Sequence, residues 1–446
     1  MKKICKYYII SAKKKGGLFL HFFKYKKNIL HVEDIPVPEL AEKYGTPLYV
    51  YSCTTLLRHY DAYEDSFAFH PHLICFALKA NTNGAVLRLL AKQGAGADIV
   101  SGGEFYRALK AGISPSKIVY AGVGKTEAEI EYALKEKLLM FNVESTQELK
   151  AINDTAARLN TKAPIALRVN PDIDPLTHPY VSTGLKKNKF GIPYDEAVEC
   201  YKEARKMQNV EILGIHKHIG SQIININPFL DALKKLLDMV DKLQRNNIPI
   251  KYLDIGGGLG IQYLDEVPPH PSELASQLKP LLKDRDITII LEPGRTIVGN
   301  AGILVSKVLY TKKGHDRDFI IVDAGMNDLV RPSMYGSYHH IMPVVQRKSR
   351  KEVFADIVGP ICESGDFLGK DREITEIKQG ELAAVMSAGA YGYSMSSNYN
   401  SRPKAAEVLV KGSEHYLIKE REVYEDLLRG EKTPDFLLSS NGKNEN

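Results

Sequence analysis

A lysine stands near the end of an otherwise apolar run, LICFALKAN at residues 73–81. Such a run, followed by the turn-forming Asn81, Asn83 and Gly84, is typical of a strand buried on both faces. Lysine is seldom fully buried, so Lys79 has two interpretations. Either it ends the strand with its amine in water, or it is a partly desolvated amine that acts as a nucleophile at neutral pH. The choice depends on what else the chain brings to that strand end.

Three later apolar runs also end in groups that can do chemistry. One ends with His216 and His218, the next in the glycine-rich segment 256–260, and the last in EPGR, which contains Glu292 and Arg295. The glycines allow a backbone to approach an anion, although tight barrel turns need glycine as well. A phosphorylated aldehyde cofactor requires four such groups: an amine for the aldehyde, an imidazole to stack on the ring, a loop of backbone N–H groups for the phosphate, and an acid at the ring nitrogen. Glu292 either lies at the pyridine nitrogen of such a cofactor or is a salt-bridged carboxylate at a strand end.

The elements that must position these groups follow an alternating pattern from residue 73 to about 300. Eight short apolar runs alternate with amphipathic segments such as 227–244, which is predicted to be a helix with Asn227 as its cap and Pro228 at its first position. This pattern predicts an α/β fold with a parallel (β/α)8 barrel, whose reactive groups gather at the carboxyl ends of the strands. The predicted strands are 73–80, 97–101, 117–122, 138–145, 164–171, 210–220, 252–260 and 287–295.

The pattern changes after residue 300, where apolar runs are separated by loops instead of helices. The runs are 302–313, 319–326, 355–364, 381–392, 406–410 and 415–418. They predict a second, mostly antiparallel β domain, to which the segment before the barrel also contributes. The predicted division is a disordered basic extension at 1–20, the barrel at 49–300, the β domain at 21–48 with 301–428, and a flexible tail at 429–446.

Charge and cysteine content limit the class of protein. The formal net charge is +6, but nine lysines lie within residues 1–27, and without them 51 basic and 54 acidic residues remain. A nucleic-acid partner is therefore not expected. The short apolar stretches near the N-terminus are insufficient for a signal peptide or membrane span, so no membrane partner is expected. Five scattered cysteines without a CxxC pattern indicate neither a disulfide framework nor a metal site, and they fit a reducing cytoplasm.

Eight ordered motifs carry a resemblance to a known family. They are YGTPLYVYS (44–52), FALKAN (76–81), GADIVSGGE (96–104), HIGSQ (218–222), DIGGGLG (254–260), EPGR (292–295), CESGD (362–366) and GAYGYSMSSNYNSRP (389–403). In these motifs the chain resembles the fold-type III pyridoxal-phosphate decarboxylases, which have alanine racemase as a relative. The resemblance covers about residues 25–425. It implies a carboxy-lyase that uses pyridoxal 5'-phosphate.

The resemblance also implies a cofactor role for matching residues. Lys79 would form the Schiff base with the cofactor, His218 would stack on its ring, and Glu292 would lie at the ring nitrogen. The phosphate would be held by the glycine loop, the EPGR backbone and a tyrosine, which are Gly258, Glu292, Pro293, Gly294, Arg295 and Tyr391.

For the substrate, the resemblance implies that Arg295, Arg331 and Tyr335 hold the far carboxylate and that Glu363 holds the far amine. Tyr391 is also expected to contact the substrate. Two-point contacts from arginine suit a carboxylate, so Arg331 favours meso-2,6-diaminoheptanedioate over ornithine or arginine as substrate. The expected reaction yields L-lysine and carbon dioxide, the last step of lysine biosynthesis by the diaminopimelate pathway. A carboxynorspermidine decarboxylase, a non-catalytic homologue and a sugar-phosphate-binding barrel stay open as alternatives.

Cys362 would protonate the carbanion after carbon dioxide leaves, because a thiol is largely protonated at neutral pH. Taken alone, a buried inert thiol would be the simpler interpretation of this cysteine. The family places the CES segment on the partner subunit of a homodimer, so each active site would be shared between two chains.

Overall fold

The computed structural model describes residues 21–174 and 189–438. The predicted extension at 1–20, residues 175–188 between the predicted fifth and sixth strands, and the end of the predicted tail lie outside these residues. The described chain begins with β1 (Phe23–Lys26), β2 (Ile29–Val32), β3 (Ile35–Pro36), α1 (Val37–Tyr44), β4 (Leu48–Ser52) and α2 (Cys53–Phe67). Among the described residues, no helix combines the length and the apolar composition needed to cross a bilayer.

A closed barrel of eight parallel strands follows, as the sequence predicts. Its order is β5-β6-β7-β8-β9-β11-β12-β13, with β13 paired to β5 and the short β10 added beside β9. The strands are β5 (His72–Ala77), β6 (Gly96–Ile99), β7 (Ile118–Tyr120), β8 (Met140–Val143), β9 (Ala163–Asn170), β10 (Ile192–Pro193), β11 (Val210–His216), β12 (Tyr252–Asp254) and β13 (Thr288–Leu291). The helices are α3 (Gly84–Lys92), α4 (Gly102–Lys110), α5 (Glu127–Lys135), α6 (Thr146–Arg158), α7 (Tyr194–Lys206), α8 (Asn227–Arg245), α9 (Pro271–Leu282) and α10 (Arg295–Val298).

Local sequence signals explain why helices start where the strands end. The side chains of Ser101, Thr126 and Ser145 each accept a backbone N–H three residues later, at a glutamate. This serine or threonine cap followed by glutamate is a standard helix start. Helix α8 differs from the prediction, because Ile226 and not Asn227 is its N-cap residue, and the N–H of Asn227 is accepted by the side chain of Asn225 at 2.9 Å.

The barrel interior has an apolar layer with a polar layer above it. The lower layer is a buried cluster of Cys75, Val119, Met140, Ala166 and Ile290. Side chains alternate along a strand, so the positions two residues later face the same interior, nearer the carboxyl ends. Three of those positions are Asn142, Arg168 and Glu292, and all three side chains are buried. The sequence therefore places its polar interior groups at the end of the barrel where active sites lie.

The second domain is a sheet of mixed direction, in the order β18-β17-β15-β14-β4-β20-β21, with β19 beside β14 and β16 beside β19. Most neighbours are antiparallel, but β15–β17 and β4–β20 are parallel. The elements are β14 (Gly302–Lys313), β15 (Asp318–Val322), α11 (Arg331–Tyr335), β16 (Ile341–Pro343), β17 (Glu352–Val358), β18 (Phe367–Thr375), β19 (Leu382–Val385), β20 (Ala406–Lys411), β21 (Glu414–Lys419), α12 (Tyr424–Leu427) and α13 (Asp435–Leu438).

Three details of this domain differ from the prediction. Strand β4 at residues 48–52 pairs with β14 and β20, so it belongs to this sheet and not to the barrel predicted to begin at residue 49. Strand β17 ends at Val358, which leaves the CES segment in a turn. Strand β18 was not predicted, because five of the nine residues in its sequence FLGKDREIT are polar and they interrupt the apolar pattern.

Candidate active site

One cavity of about 180 Å³ opens at the carboxyl ends of the barrel strands and brings most of the predicted residues together. Two predicted residues, Cys362 and Glu363, do not line it, and Pro293 lies just behind the lining. The cavity is lined by Ala77, Lys79, His218, Ser221, Gly258, Leu259, Glu292, Gly294, Arg295, Thr296, Arg331, Tyr335, Tyr391 and Met395. Barrel and second domain thus both contribute to its wall.

Lys79 lies in a 3-10 turn, Leu78–Ala80, that directly follows strand β5. Its Nζ donates to Oδ2 of Asp98 at 2.5 Å, and the Asp98 side chain is completely buried on β6. Burial alone would lower the pKa of Lys79, but the carboxylates of Asp98 and Glu292 outweigh it and raise that pKa above its ordinary value. Burial and Glu292 also raise the pKa of Asp98, to about 7, so the amine and this carboxyl titrate as a pair in which the amine is the stronger base. Desolvation alone therefore does not lower the pKa of this amine, in contrast to the second interpretation of the sequence.

The turn that carries Lys79 is attached to the second domain. The backbone N–H of Tyr391 donates to the carbonyl of Ala80 at 2.8 Å, and the Ser394 hydroxyl donates to the carbonyl of Lys79 at 3.1 Å. Tyr391 has a φ of 56°, a left-handed conformation that only tertiary packing maintains in a residue of this size. The position of the amine is therefore set jointly by the two domains.

Glu292 and Asp254 form a buried carboxyl pair at the base of the cavity. Asn142 Nδ2 donates to Asp254 at 3.1 Å and to Glu292 at 3.4 Å, and His216 Nε2 lies 3.5 Å from Glu292. Burial and the neighbouring Glu292 raise the pKa of Asp254 well above its ordinary value. Burial opposes ionisation of Glu292 too, but His216 and Lys79 outweigh it and lower its pKa. One carboxyl of the pair is therefore neutral and the other, Glu292, is an anion.

His218 presents a flat neutral ring to the cavity. Its Nδ1 accepts the backbone N–H of Gly257 at 3.3 Å and lies 3.9 Å from Oε2 of Glu292. Burial and the charge of Arg168 hold the pKa of His218 well below its ordinary value. An uncharged imidazole with one exposed face is suited to stacking on a planar group.

The glycines after strand β12 are required by the backbone. A Cβ on Gly257 would lie 2.1 Å from the carbonyl oxygen of Glu292, and one on Gly258 would lie 2.3 Å from the carbonyl oxygen of Gly220. Gly258 also has a φ of 116°, which favours glycine. The sequence left two explanations for these glycines, an anion-binding loop and tight turns of the barrel. Close packing of the strand ends accounts for both glycines, and Gly258 also lines the cavity. Behind it, the Pro293 carbonyl accepts the N–H of Ala77 at 3.1 Å.

Two buried arginines form another part of the cavity wall. Arg295 and Arg331 are only 5% and 6% exposed. Their hydrogen bonds go to hydroxyl groups, from Arg295 to Ser221 at 3.0 Å and from Arg331 to Ser337 at 3.0 Å. Within residues 21–174 and 189–438, neither guanidinium has a carboxylate within 4.0 Å, and the Nε of each is buried without a hydrogen-bond partner. Buried charges are normally paired, so this half of the cavity is suited to an anionic ligand.

Cys362 and Glu363 lie in an exposed turn after β17, away from the cavity of their own chain. Asp366 builds this turn by accepting the N–H groups of Met326 and Ile361, both at 2.6 Å. The N–H of Cys362 donates to Oδ1 of Asn400 at 2.8 Å. The predicted proton donor is therefore held in an ordered turn and its thiol faces outward.

Sequence reasoning missed Asp98, Asp254 and Ser221 as members of the site. The signal that singled out Lys79 also applies to the two aspartates, because each is a charged residue inside an otherwise apolar strand run. Such a residue is expected to have a buried partner. Ser221 gave no comparable signal, since serine is common in loops.

The comparisons with known proteins agree with this geometry. Residues 53–299 match the family model described as pyridoxal-dependent decarboxylase, pyridoxal binding domain. The diaminopimelate decarboxylase of Aquifex aeolicus is 55% identical over 405 residues, which cover 91% of this chain and 96% of that protein. The enzyme of the same name from Haemophilus influenzae is 52% identical, over 93% of this chain and 100% of that protein.

A solved structure leads to the same family. The crystal structure of diaminopimelate decarboxylase from M. jannaschii in co-complex with L-lysine has a TM-score of 0.89 and 40% sequence identity, and it covers 93% of this chain and 98% of that chain. A family model that matches more than half of the chain and relatives of about 50% identity over nearly its full length lead to one conclusion. The chain belongs to the family of pyridoxal-dependent decarboxylases.

Proposed function

We propose that this protein is a diaminopimelate decarboxylase, which converts meso-2,6-diaminoheptanedioate to L-lysine and carbon dioxide with pyridoxal 5'-phosphate. The observation that carries the proposal is the pair of buried arginines, Arg295 and Arg331, in the same cavity as Lys79. A substrate with a second amino-acid head brings a carboxylate to these cations, whereas ornithine and arginine bring a cation. Relatives that bear this enzyme's name support the proposal.

The lining of the cavity fits the cofactor. Lys79 supplies an amine for the aldehyde, and His218 supplies a flat face for the ring. The ionised Glu292 suits a protonated ring nitrogen. Gly258, the backbone of Gly294, and Tyr391 are assigned to the phosphate, whereas Pro293 has no N–H to donate and its carbonyl accepts from Ala77. When bound, pyridoxal phosphate supplies an electron sink for the pair of electrons left by the departing carboxylate.

The residues of the outer cavity orient the substrate. Arg331 and Arg295 bind its far carboxylate with Tyr335 and Tyr391 beside them, and this leaves the other amino-acid head at Lys79. Holding the far head fixes which carboxylate faces the cofactor and so which carbon–carbon bond breaks. The carboxylate of Glu363 binds the far amine by forming an ion pair with its ammonium group.

Cys362 is the proposed proton donor. As the bond between the α-carbon and the carboxylate breaks, carbon dioxide leaves and the thiol proton of Cys362 moves to the α-carbon. The resulting thiolate then regains a proton from solvent. Because Cys362 and Glu363 are exposed on their own chain, we propose that they complete the cavity of a second subunit in a homodimer.

The cell compartment is the least constrained part of the proposal. The described cysteines include no disulfide, and three of the four, Cys53, Cys75 and Cys200, are buried thiols. Unpaired thiols are typical of a reducing compartment, so we propose a cytoplasmic location.

The direct test is carbon dioxide release by the purified, cofactor-loaded protein. Meso-diaminopimelate, ornithine, arginine and lysine are compared at equal concentration. We expect release from meso-diaminopimelate alone. If carbon dioxide were released from ornithine or arginine instead, the assignments of the cofactor and of Lys79 would stand, but the assignment of Arg331 would be wrong.

A further inference from the structure

The two buried arginines share one aromatic ring that does not line the cavity. The guanidinium carbon of Arg295 lies 5.9 Å from the ring centre of Tyr263, and that of Arg331 lies 5.6 Å from the same centre. Two like charges in a buried site repel each other. Tyr263 offsets part of that cost, since its ring attracts the guanidinium of Arg331 and its hydroxyl accepts a hydrogen bond from Arg295. Tyr263 therefore contacts both arginines at once.

Tyr263 also holds Arg295 through its hydroxyl. The Nη1 of Arg295 donates to the Tyr263 hydroxyl oxygen at 2.6 Å, while its Nη2 donates to Ser221 at 3.0 Å. The backbone of this tyrosine is fixed by Glu266, whose carboxylate accepts the N–H of Tyr263 at 2.9 Å and of Leu264 at 2.7 Å. Ring and hydroxyl are thus set by a local turn in the loop that follows β12.

The second domain supports the ring from the other side. The ring of His339 packs edge-on against that of Tyr263, with centres 5.2 Å apart and planes at 77°. Its Nδ1 donates to the carbonyl of Met386 at 3.0 Å. Burial, reinforced by the charge of Arg331, lowers the pKa of His339 to about 3. A neutral imidazole packs against the tyrosine without adding a third positive charge to the arginine pair.

We infer that Tyr263 is a positioning residue that sets the arrangement of Arg295 and Arg331 for the far carboxylate of the substrate. The inference rests on the proposed function, because it requires a ligand that carries this carboxylate. Tyr391 also lies near both arginines and Tyr335 lies near Arg331, but these two tyrosines line the cavity and so contact the ligand directly. Tyr263 acts through the arginines alone.

The test separates carboxylate binding from binding in general. Cofactor-loaded wild type and Tyr263→Phe are titrated with L-lysine, which carries the far carboxylate, and with 1,5-diaminopentane, which lacks it, and the cofactor absorbance is followed. Removing the hydroxyl leaves a buried guanidinium donor unpaired and frees Arg295 to move, so L-lysine should bind about tenfold more weakly. Binding of 1,5-diaminopentane should not change. With meso-diaminopimelate, KM should rise by a similar factor while kcat stays the same.

Tyr201→Phe is the matched control. The Tyr201 hydroxyl is also buried in the barrel, where it donates to the carbonyl of Gly214 at 2.8 Å, but the residue contacts neither arginine. This variant should retain the wild-type preference for L-lysine. If Tyr263→Phe also retains that preference, the inference is wrong although the proposed function stands. If the wild type binds L-lysine no more tightly than 1,5-diaminopentane, the proposed function itself is contradicted.

Discussion

The inner and outer ends of the active-site cavity differ in how their charges are balanced. At the inner end, Lys79 is paired with Asp98, whose pKa is raised to about 7 by burial and Glu292, and Glu292 lies beside two imidazoles and a neutral Asp254. Every charge there has a partner from the same chain. These side chains come from the ends of neighbouring barrel strands, whose backbone hydrogen bonds fix their relative positions, and Tyr391 and Ser394 of the second domain also hold the turn that carries Lys79.

At the outer end the charges are incomplete. Arg295 and Arg331 face the cavity with aromatic and hydroxyl partners but without a carboxylate among the described residues. Cys362 and Glu363, which the proposed reaction needs, are exposed in a turn of the second domain. Under the proposed function, a single chain builds the cofactor half of the site, whereas a ligand and a second chain complete the substrate half.

The largest effect is expected at the inner end. Lys79→Ala removes the one lysine amine among the described residues that line the cavity. The long-wavelength absorbance of the attached cofactor and the decarboxylation should therefore be lost together, with a fall in kcat of about 10³-fold or more. The matched control is Lys125→Ala, because Lys125 is another buried lysine, paired with Glu148 at 2.7 Å outside the cavity. If Lys79→Ala retained turnover, the assignment of Lys79 as the residue that binds the cofactor aldehyde would be wrong.

The next effect tests whether the outer end is shared between chains. Cys362→Ala should lower kcat by about 10²- to 10⁴-fold, because the carbanion loses its proton donor. When it is mixed with Lys79→Ala under conditions that exchange subunits, about a quarter of wild-type activity should return, since each mixed dimer contains one site with both residues intact. No recovery after verified exchange would mean that Cys362 serves its own chain or has no such role.

The same division explains how much could be predicted from the sequence. Continuous apolar runs and serine or threonine caps specify the barrel strands and helix starts locally, so Lys79, His218 and Glu292 could be assigned to one end of the barrel. The direction in which the Lys79 pKa moves could not be predicted, because it depends on Asp98 and Glu292, which lie far from it in the sequence.

Pairings between distant parts of the chain could not be predicted either. Strand β4 reads like a barrel strand, and its place in the second sheet follows only from pairing with β14 and β20, more than 200 residues away. Tyr263 has no local feature that links it to Arg331 or His339. Contacts between the domains are nonlocal, so neither periodicity nor spacing reports them.

A smaller effect should separate the two ends by kinetics. Arg331→Ala removes one of the two cations for the far carboxylate, so KM for meso-diaminopimelate should rise about 10²-fold, while the cofactor absorbance stays unchanged. Arg331→Lys keeps the charge but loses the two-point geometry, and its KM should lie between those of the wild type and the alanine variant. An unchanged KM in Arg331→Ala would mean that the far carboxylate is bound elsewhere.

The smallest effect concerns the balance of charge at the inner end. Burial lowers the pKa of Lys79, whereas Asp98 and Glu292 raise it, and the net result is a raised pKa. The amine must lose its proton before it can attack an aldehyde, so attachment of pyridoxal phosphate to the cofactor-free protein should speed up as pH rises toward that raised pKa. Asp98→Asn removes one of the two acids, so the pKa should fall and the same profile should move to lower pH. Attachment at pH 8 should then be about tenfold faster, because a pKa lower by about one leaves about ten times more neutral amine.

Glu104→Gln is the control for this last effect, because Glu104 lies nearby but hydrogen-bonds the backbone of Val100 instead of the amine. Because the charges of Glu104 and Lys79 also attract each other, its profile should move in the same direction as that of Asp98→Asn but by a smaller amount. A profile that does not move in Asp98→Asn would show that the ion pair with Asp98 does not govern the protonation of Lys79, and the balanced inner end would then need another explanation.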